Sequence, residues 1–270
     1  MDRLSFGAQS FNPNELSILE RHHDPRDVPR SLELARRAGF TRLNVDLIYA
    51  IPGQDIASWS DSLEQAIALG TPHLSCYGLT YESNTPMAVK KRLGVFQAVD
   101  ESLELEMLHH TRRRLTETGR PPYEISNYAI PGEQCRHNLV YWTGGNYLGL
   151  GPSAASHVEG WRWRNRPHLG EWEQAVAADN LPATDAEQLT PLQRAGELAM
   201  LMLRLTRGIE FAAFSGRTGR SAQETFAEPI ERLSKLGLIR IDPDAIRLTE
   251  AGLDVADAVS AEFLQPEPAR

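Results

Sequence analysis

The chain has 270 residues, 41% of them hydrophobic, with 28 basic against 36 acidic side chains and a formal net charge of −8. That length and apolar content suffice for a buried core and for two domains, and the acidic balance argues against nucleic acid or an anionic membrane as the main partner. No apolar run is long enough to cross a bilayer, no signal peptide is expected ahead of the first strand, and the two cysteines, Cys76 and Cys135, suit a reducing cytoplasm.

In chain order, Leu4, Phe6 and Ala8 alternate with Ser5, Gly7 and Gln9, which predicts a strand over residues 3–9. A short helix near 14–19 follows, then a helix over 25–38 with Val28, Leu32 and Ala35 at helical spacing and Gly39 as its C-terminal stop. A strand over 43–49 precedes a helix over 55–69, and a strand over 74–80 precedes helices over 85–93 and 98–117. A short strand at 123–126 closes the tract. Strands alternating with helices predict a parallel α/β sheet, either open or closed into a barrel.

In such folds ligands meet the carboxyl ends of the strands. Gln9 closes the first strand, Asp46 sits beside Asn44 in the second, and Thr80 closes the third ahead of Glu82. By parity Gln9 shares a face with Ser5 and Gly7, and Asp46 with Asn44, while Leu4, Phe6, Leu43, Val45 and Leu47 take the helix-packing face. Each polar residue alone reads equally as a turn closure or a ligand contact; three at equivalent strand ends favour a binding site.

These residues carry a resemblance. Ser5-Phe6-Gly7-Ala8-Gln9-Ser10-Phe11, Arg21, Ala38-Gly39-Phe40, Asn44-Val45-Asp46-Leu47-Ile48-Tyr49 and Pro52-Gly53-Gln54 resemble the second half of a radical SAM barrel. The kind is that of oxygen-independent coproporphyrinogen III oxidase and the heme chaperone HemW. Tyr123-Glu124-Ile125-Ser126-Asn127-Tyr128-Ala129, Cys135-Arg136-His137-Asn138, Tyr141-Trp142 and Tyr147-Leu148-Gly149-Leu150-Gly151 are similar to the HemW branch. The resemblance covers essentially the whole chain. It implies a heme chaperone that, at full length, binds heme, S-adenosylmethionine and a [4Fe–4S] cluster and passes heme to an acceptor protein. The alternatives are a coproporphyrinogen III oxidase of porphyrin biosynthesis and a cluster-free protein that binds heme or a partner.

Carried over residue by residue, the resemblance makes Gln9, Arg21 and Asp46 contacts to S-adenosylmethionine, with the Thr80 backbone near that cofactor. A guanidinium can grip the ligand's carboxylate with two hydrogen bonds, which suits Arg21. The family's CxxxCxxC loop, whose thiolates hold the cluster, has no counterpart here. The expectation is therefore an N-terminally truncated form, not competent alone for radical chemistry, with an unpaired and aggregation-prone edge at 3–9. No catalytic or metal-ligating residue is assigned.

Other residues read more plainly. Cys76 is a small apolar filler, His22-His23 are solvated loop residues, and Arg112-Arg113-Arg114 form a solvated helix face. Cys135 with His137 reads either as a metal or heme pair or as a histidine satisfied by backbone hydrogen bonds in a loop. The relatives' glycine-alanine-histidine-serine stretch becomes Ser153-Ala154-Ala155-Ser156, with His157 displaced by two positions.

Past Gly151 the pattern changes. A strand is predicted over 161–164, then helices over 169–178, 190–205 (capped by Thr190 with Pro191 behind it), 210–214 and 223–236. A hairpin over 237–249 and a helix to 263, capped by Thr249, complete a winged-helix-like module. Arg217, Arg220, Lys235, Arg240 and Arg247 would form its basic face, but acidic residues lie among them and no nucleic-acid partner is expected. The predicted organisation is a partial radical SAM barrel over 1–128, connecting strands and loops over 129–186, an α+β winged-helix-like module over 187–264, and a tail over 265–270.

Overall fold

Two compact units divide this computed structural model, Met1–Gln134 and Cys135–Arg270, within which residues 2–83 and 85–264 are described. The expected tail at 265–270 lies outside the described residues.

The first unit runs β1 (Arg3–Gln9), α1 (Pro13–Ile18), α2 (Asp27–Arg37), β2 (Arg42–Tyr49), α3 (Ile56–Ala68), β3 (His73–Gly78), α4 (Pro86–Arg92), α5 (Glu101–Glu117) and β4 (Asn127–Ala129). Side-chain oxygens of Asn12, Asp55, Thr85 and Asp100 accept from the first-turn amides of α1, α3, α4 and α5, so each start is set by a local cap. The sheet order is β1-β2-β3-β4, with the first two pairings parallel and the last antiparallel. Among the described residues β1 pairs with β2 alone, and the sheet does not close into a barrel.

One face of this sheet is apolar. Leu43, Val45, Leu47, Leu74 and Cys76 pack beneath Val28, Leu32 and Ala35 of α2, Trp59, Leu63 and Ala66 of α3, and Met107 and Leu115 of α5. Trp59 is fully buried, and its indole N–H donates to Thr111 Oγ1 at 2.9 Å, while that hydroxyl donates to the Met107 carbonyl at 2.7 Å. The helix-packing face assigned by strand parity is therefore the core.

The structure corrects two strand boundaries. The third strand stops at Gly78, so Thr80 lies in the following loop rather than at a strand end. Residues 123–126 form a turn instead of a strand: Tyr123 N–H donates to the Asn127 carbonyl, and the Glu124 carboxylate accepts from Ser126 N–H at 3.0 Å. That local acceptor folds the segment back, and the strand follows at β4, antiparallel to β3.

The second unit runs α6 (Arg136–Trp142), β5 (Ala155–Val158), β6 (Trp161–Asn165), α7 (Leu169–Ala177), β7 (Ala183–Gln188), α8 (Pro191–Leu203), β8 (Ile209–Glu210), α9 (Phe211–Thr218), α10 (Ala222–Thr225), α11 (Ala227–Lys235), β9 (Ile239–Ile241), β10 (Ala245–Leu248), α12 (Glu250–Asp254) and α13 (Ala256–Ala261). It holds two antiparallel sheets, β5-β6-β7 and β8-β10-β9. The helices from α8 onward with the β9–β10 hairpin have the winged-helix-like arrangement, around a core of Met202, Leu203, Phe214, Phe226, Ile246 and Phe263. Thr190 and Gln193 form a full capping box on α8.

Three predicted helices differ. Residues 210–214 begin one residue later, because Glu210 belongs to β8. The single helix expected over 223–236 is two, broken at Phe226 (φ −121°, ψ 34°). Pro229 explains the break: a continuous helix would press its ring against the Thr225 carbonyl, whereas a helix starting at Ala227 holds it in the first turn. The last helix breaks likewise at Val255.

A Thr111→Val substitution, nearly isosteric, should leave the Trp59 indole N–H buried without a partner. The expected cost is about 1–3 kcal/mol in denaturant unfolding of the first unit. Adding Trp59→Leu should make the Thr111→Val change markedly cheaper in that background, and unchanged stability of the single variant would contradict the assignment.

Candidate functional site

The second face of the first unit's sheet is polar and hydrogen-bonded across all four strands. Asn44 on β2 is its hub. The Asn44 amide nitrogen lies 2.8 Å from Ser5 Oγ on β1, 2.8 Å from Asp46 Oδ1 on its own strand and 2.9 Å from Ser75 Oγ on β3, three acceptors sharing two hydrogens. Ser75 in turn donates to Asn127 Oδ1 on β4 at 2.8 Å, and Asn127 donates to Glu124.

The Asn44 amide oxygen can only accept, and His73 Nδ1 lies 2.7 Å from it. Nδ1 therefore carries a proton, which leaves Nε2 to accept from the Tyr123 hydroxyl at 2.9 Å. Burial, reinforced by the Arg3 cation, lowers the His73 pKa from its ordinary 6.5 to about 3, so the ring is neutral. Donation thus runs Tyr123 to His73 to Asn44 to Asp46. Ser5 Oγ adds a hydrogen bond of 2.5 Å to Asp46 Oδ2. Each Asp46 oxygen accepts one hydrogen bond from this network and keeps acceptor capacity for a ligand.

Gln9 joins Asp46 on this face. The ladder between β1 and β2 slips between Gly7 and Gln9, and Gln9 takes a left-handed backbone (φ 62°). That bulge turns the Gln9 side chain back over Gly7, whose register partner is Asp46. A Cβ at Gly7 would lie 2.6 Å from Gln9 Nε2, so the glycine makes room for the amide. The end of β2 repeats the feature, with Ala50 at φ 60°.

Arg21 and Thr80 are not joined to this network by any hydrogen bond. Arg21 is exposed, follows α1, and borders a depression with Phe11, Leu16 and His23; its guanidinium makes no hydrogen bond or ion pair among the described residues. Thr80 is exposed, with its hydroxyl 3.5 Å from the Gly78 carbonyl.

Sequence reasoning missed Glu15. It is 4% exposed on α1, and accepts from Ser10 Oγ at 2.5 Å, Ser58 Oγ at 2.6 Å and Gln54 Nε2 at 2.9 Å, with no cationic partner among the described residues. These bonds tie the chain after β1 to the loop after β2 and to the first turn of α3. The available signal was Ser58 and Ser62, four residues apart on a helix, each followed by an apolar residue, Trp59 and Leu63.

The chemistry of the donor set bears on the cofactors that the resemblance implies. Asp46 and Gln9, side by side with open acceptor and donor capacity, fit the amine and hydroxyl groups of S-adenosylmethionine. Three-thiolate ligation does not fit this chain's residues. Cys76 is buried and burial pushes its thiol well up, Cys135 sits in the other unit, and no group of three metal-ligating side chains occurs among the described residues. Of the other candidates, His137 lies in α6 rather than a loop, and Tyr141 Oη at 2.8 Å rather than the backbone is its partner. His23 Nε2 lies 3.2 Å from the Ala8 carbonyl.

Comparison with known proteins gives the class first. The fold is shared with Escherichia coli coproporphyrinogen III oxidase (HemN), itself a radical SAM enzyme, which superposes with a TM-score of 0.79 over 97% of this chain and 64% of the solved one, at 22% identity. The HemN C-terminal domain family matches residues 189–255. The heme chaperones HemW of Mycobacterium tuberculosis H37Rv (34% identical over 97% of this chain and 65% of the relative), Bacillus subtilis (31%, 98% and 70%) and Haemophilus influenzae (31%, 98% and 68%) align along it. The chain belongs to the HemW family. It spans about 65% of the length of the mycobacterial relatives.

At pH 5, where a solvated histidine is mostly charged, ring-nitrogen NMR should show His73 neutral with the proton on Nδ1. The unfolded chain takes up this proton near pH 6.5 and the folded site refuses it until about pH 3. This group therefore leaves stability unaffected above 6.5 and erodes it as pH falls from 6.5 towards 3. A His73 titration centred near 6.5 would contradict the network.

Proposed function

We propose that this chain carries out the binding steps of a HemW-type heme chaperone in the cytoplasm, holding S-adenosylmethionine and heme and passing heme to an acceptor protein. Membership of the family supports the heme role. The pairing of Asp46 with Gln9 on the polar sheet face carries the cofactor role. Asp46 would accept from the ligand's amine or ribose hydroxyls, Gln9 would meet its polar groups from the neighbouring strand, and Arg21 would meet its carboxylate. The Thr80 backbone would lie beside it. The neutral His73–Asn44 chain at Oδ1 and Ser5 at Oδ2 keep the Asp46 oxygens oriented without introducing a competing cation. No radical step is assigned to these residues, because their donor set does not fit the cluster.

Against duplex binding by the winged-helix-like module stands the pairing of three of its five candidate cations with acids. Arg247 pairs with Asp242 and Asp244, Arg240 with Asp242, and Lys235 with Glu231. No helix among the described residues is long and apolar enough to cross a membrane.

The test is a pair of titrations on the purified chain, with S-adenosylhomocysteine followed by calorimetry and hemin by its Soret band. Both should saturate. Asp46→Asn and Gln9→Ala should each weaken the nucleoside ligand, Asp46→Asn by about tenfold or more, and leave hemin binding unchanged. A folded chain that saturates with neither ligand, or an Asp46→Asn variant that binds S-adenosylhomocysteine as well as the parent, would overturn the reading.

A further inference from the structure

The second unit contains a partly enclosed cavity of about 160 Å³ that none of the roles above uses. Its size matches that of cavities of roughly 150 Å³ that accept a benzene-sized guest. The walls are the rings of Tyr141 and Tyr147, packed edge to face at 4.6 Å between centroids, and the side chains of Leu198 and Leu201 on α8. Gly144 and Gly145 contribute backbone. A Cβ at Gly144 would lie 2.8 Å from Leu198 Cδ1, so no side chain could stand there without displacing that wall.

The cavity's charges are unequal. Arg162 is already matched, by Glu187 at 2.6 Å and by Glu197. The Arg194 guanidinium makes no hydrogen bond or ion pair among the described residues, and that of Arg217 meets only the Gly144 carbonyl, at 3.2 Å. Two guanidiniums thus line an apolar pocket with no carboxylate of their own, in a chain whose net charge is −8. His157 Nδ1 lies 3.0 Å from the Gly145 carbonyl, which fixes that ring against Tyr147 and keeps the pocket's shape. Unmatched guanidiniums beside aromatic and aliphatic walls are suited to a carboxylate on a flat apolar body.

We infer that this cavity is a binding site for a small aromatic carboxylate, its ring between the tyrosines and the α8 leucines and its carboxylate on Arg194 and Arg217. The inference stands apart from the S-adenosylmethionine reading, since every residue it uses lies in the second unit.

The test uses the full chain and three probes: benzoate, benzamide as its uncharged isostere, and inorganic phosphate as an anion without the ring. Calorimetric or NMR titration should show saturable benzoate binding, with benzamide and phosphate at least about tenfold weaker. Arg194→Gln and Arg217→Gln should each weaken benzoate by about tenfold while keeping the parent's melting temperature and its affinity for S-adenosylhomocysteine. Should one variant fail to fold, the other decides. No saturable benzoate binding, equal binding of benzamide or phosphate, or unchanged affinity in a folded arginine variant would each overturn the inference.

Discussion

The side-chain amide of Asn44 is the constraint on which the first unit's polar face depends. It is buried, and it touches partners on β1, on its own strand and on β3, with Ser75 extending the chain to β4. A buried amide of this kind is costly unless its groups are paired, so the register of three strand pairings and the identity of five polar side chains are tied together. Its polarity also matters. Because the amide oxygen can only accept, His73 must present Nδ1–H, and because the amide nitrogen can only donate, its neighbours must offer acceptors, Asp46 Oδ1 among them. A carboxylate held this way is oriented before any ligand arrives.

Around that hub, backbone strain gathers at the carboxyl ends of β1 and β2. Gln9 and Ala50 both occupy left-handed conformations that β-carbons disfavour. The buried Glu15 carboxylate lies in the network beside both ends, accepting from Ser10 just past β1 and from Gln54 in the loop past β2. Its three hydrogen bonds satisfy the carboxyl oxygens that burial takes out of water. Ser10, the residue after Gln9, is thus held by a carboxylate that contributes nothing to the polar face itself.

Strand alternation made the two faces of β1 and β2 legible, because a period of two separates Ser5, Gly7, Gln9, Asn44 and Asp46 from Leu4, Phe6, Leu43, Val45 and Leu47 without any tertiary knowledge. The capped helix starts at Asp55 and Thr190 were equally local. What stayed hidden depends on pairing across sequence distance. His73 reads as an ordinary residue just ahead of the strand expected over 74–80 until Asn44 and Tyr123 are seen on either side of it. Glu15 reads as a surface helix residue until Ser58 arrives from another helix. The 123–126 segment has strand-like composition, but Glu124 turns it with a side-chain bond that periodicity does not register. Pro229 stands in plain sight in the sequence, but the residues around it keep a helical pattern that does not mark the break at Phe226. The second unit's cavity draws Tyr141, His157, Arg194 and Arg217 from four elements, which no short motif could reveal.

The two units carry separate features: a polar sheet face in one, and in the other a cation-lined cavity built from α6, β5, β6, α8 and α9. The sheet face is the part that the proposed cofactor role rests on most heavily. The most direct measurement is a crystal structure of the chain with S-adenosylhomocysteine bound. The ligand should lie on the polar face, with a polar group within hydrogen-bond distance of an Asp46 carboxylate oxygen and of the Gln9 amide, and with the His73–Asn44–Asp46 bonds unchanged. Density for the ligand elsewhere in the chain, with Asp46 still bonded only to Ser5 and Asn44, would contradict it.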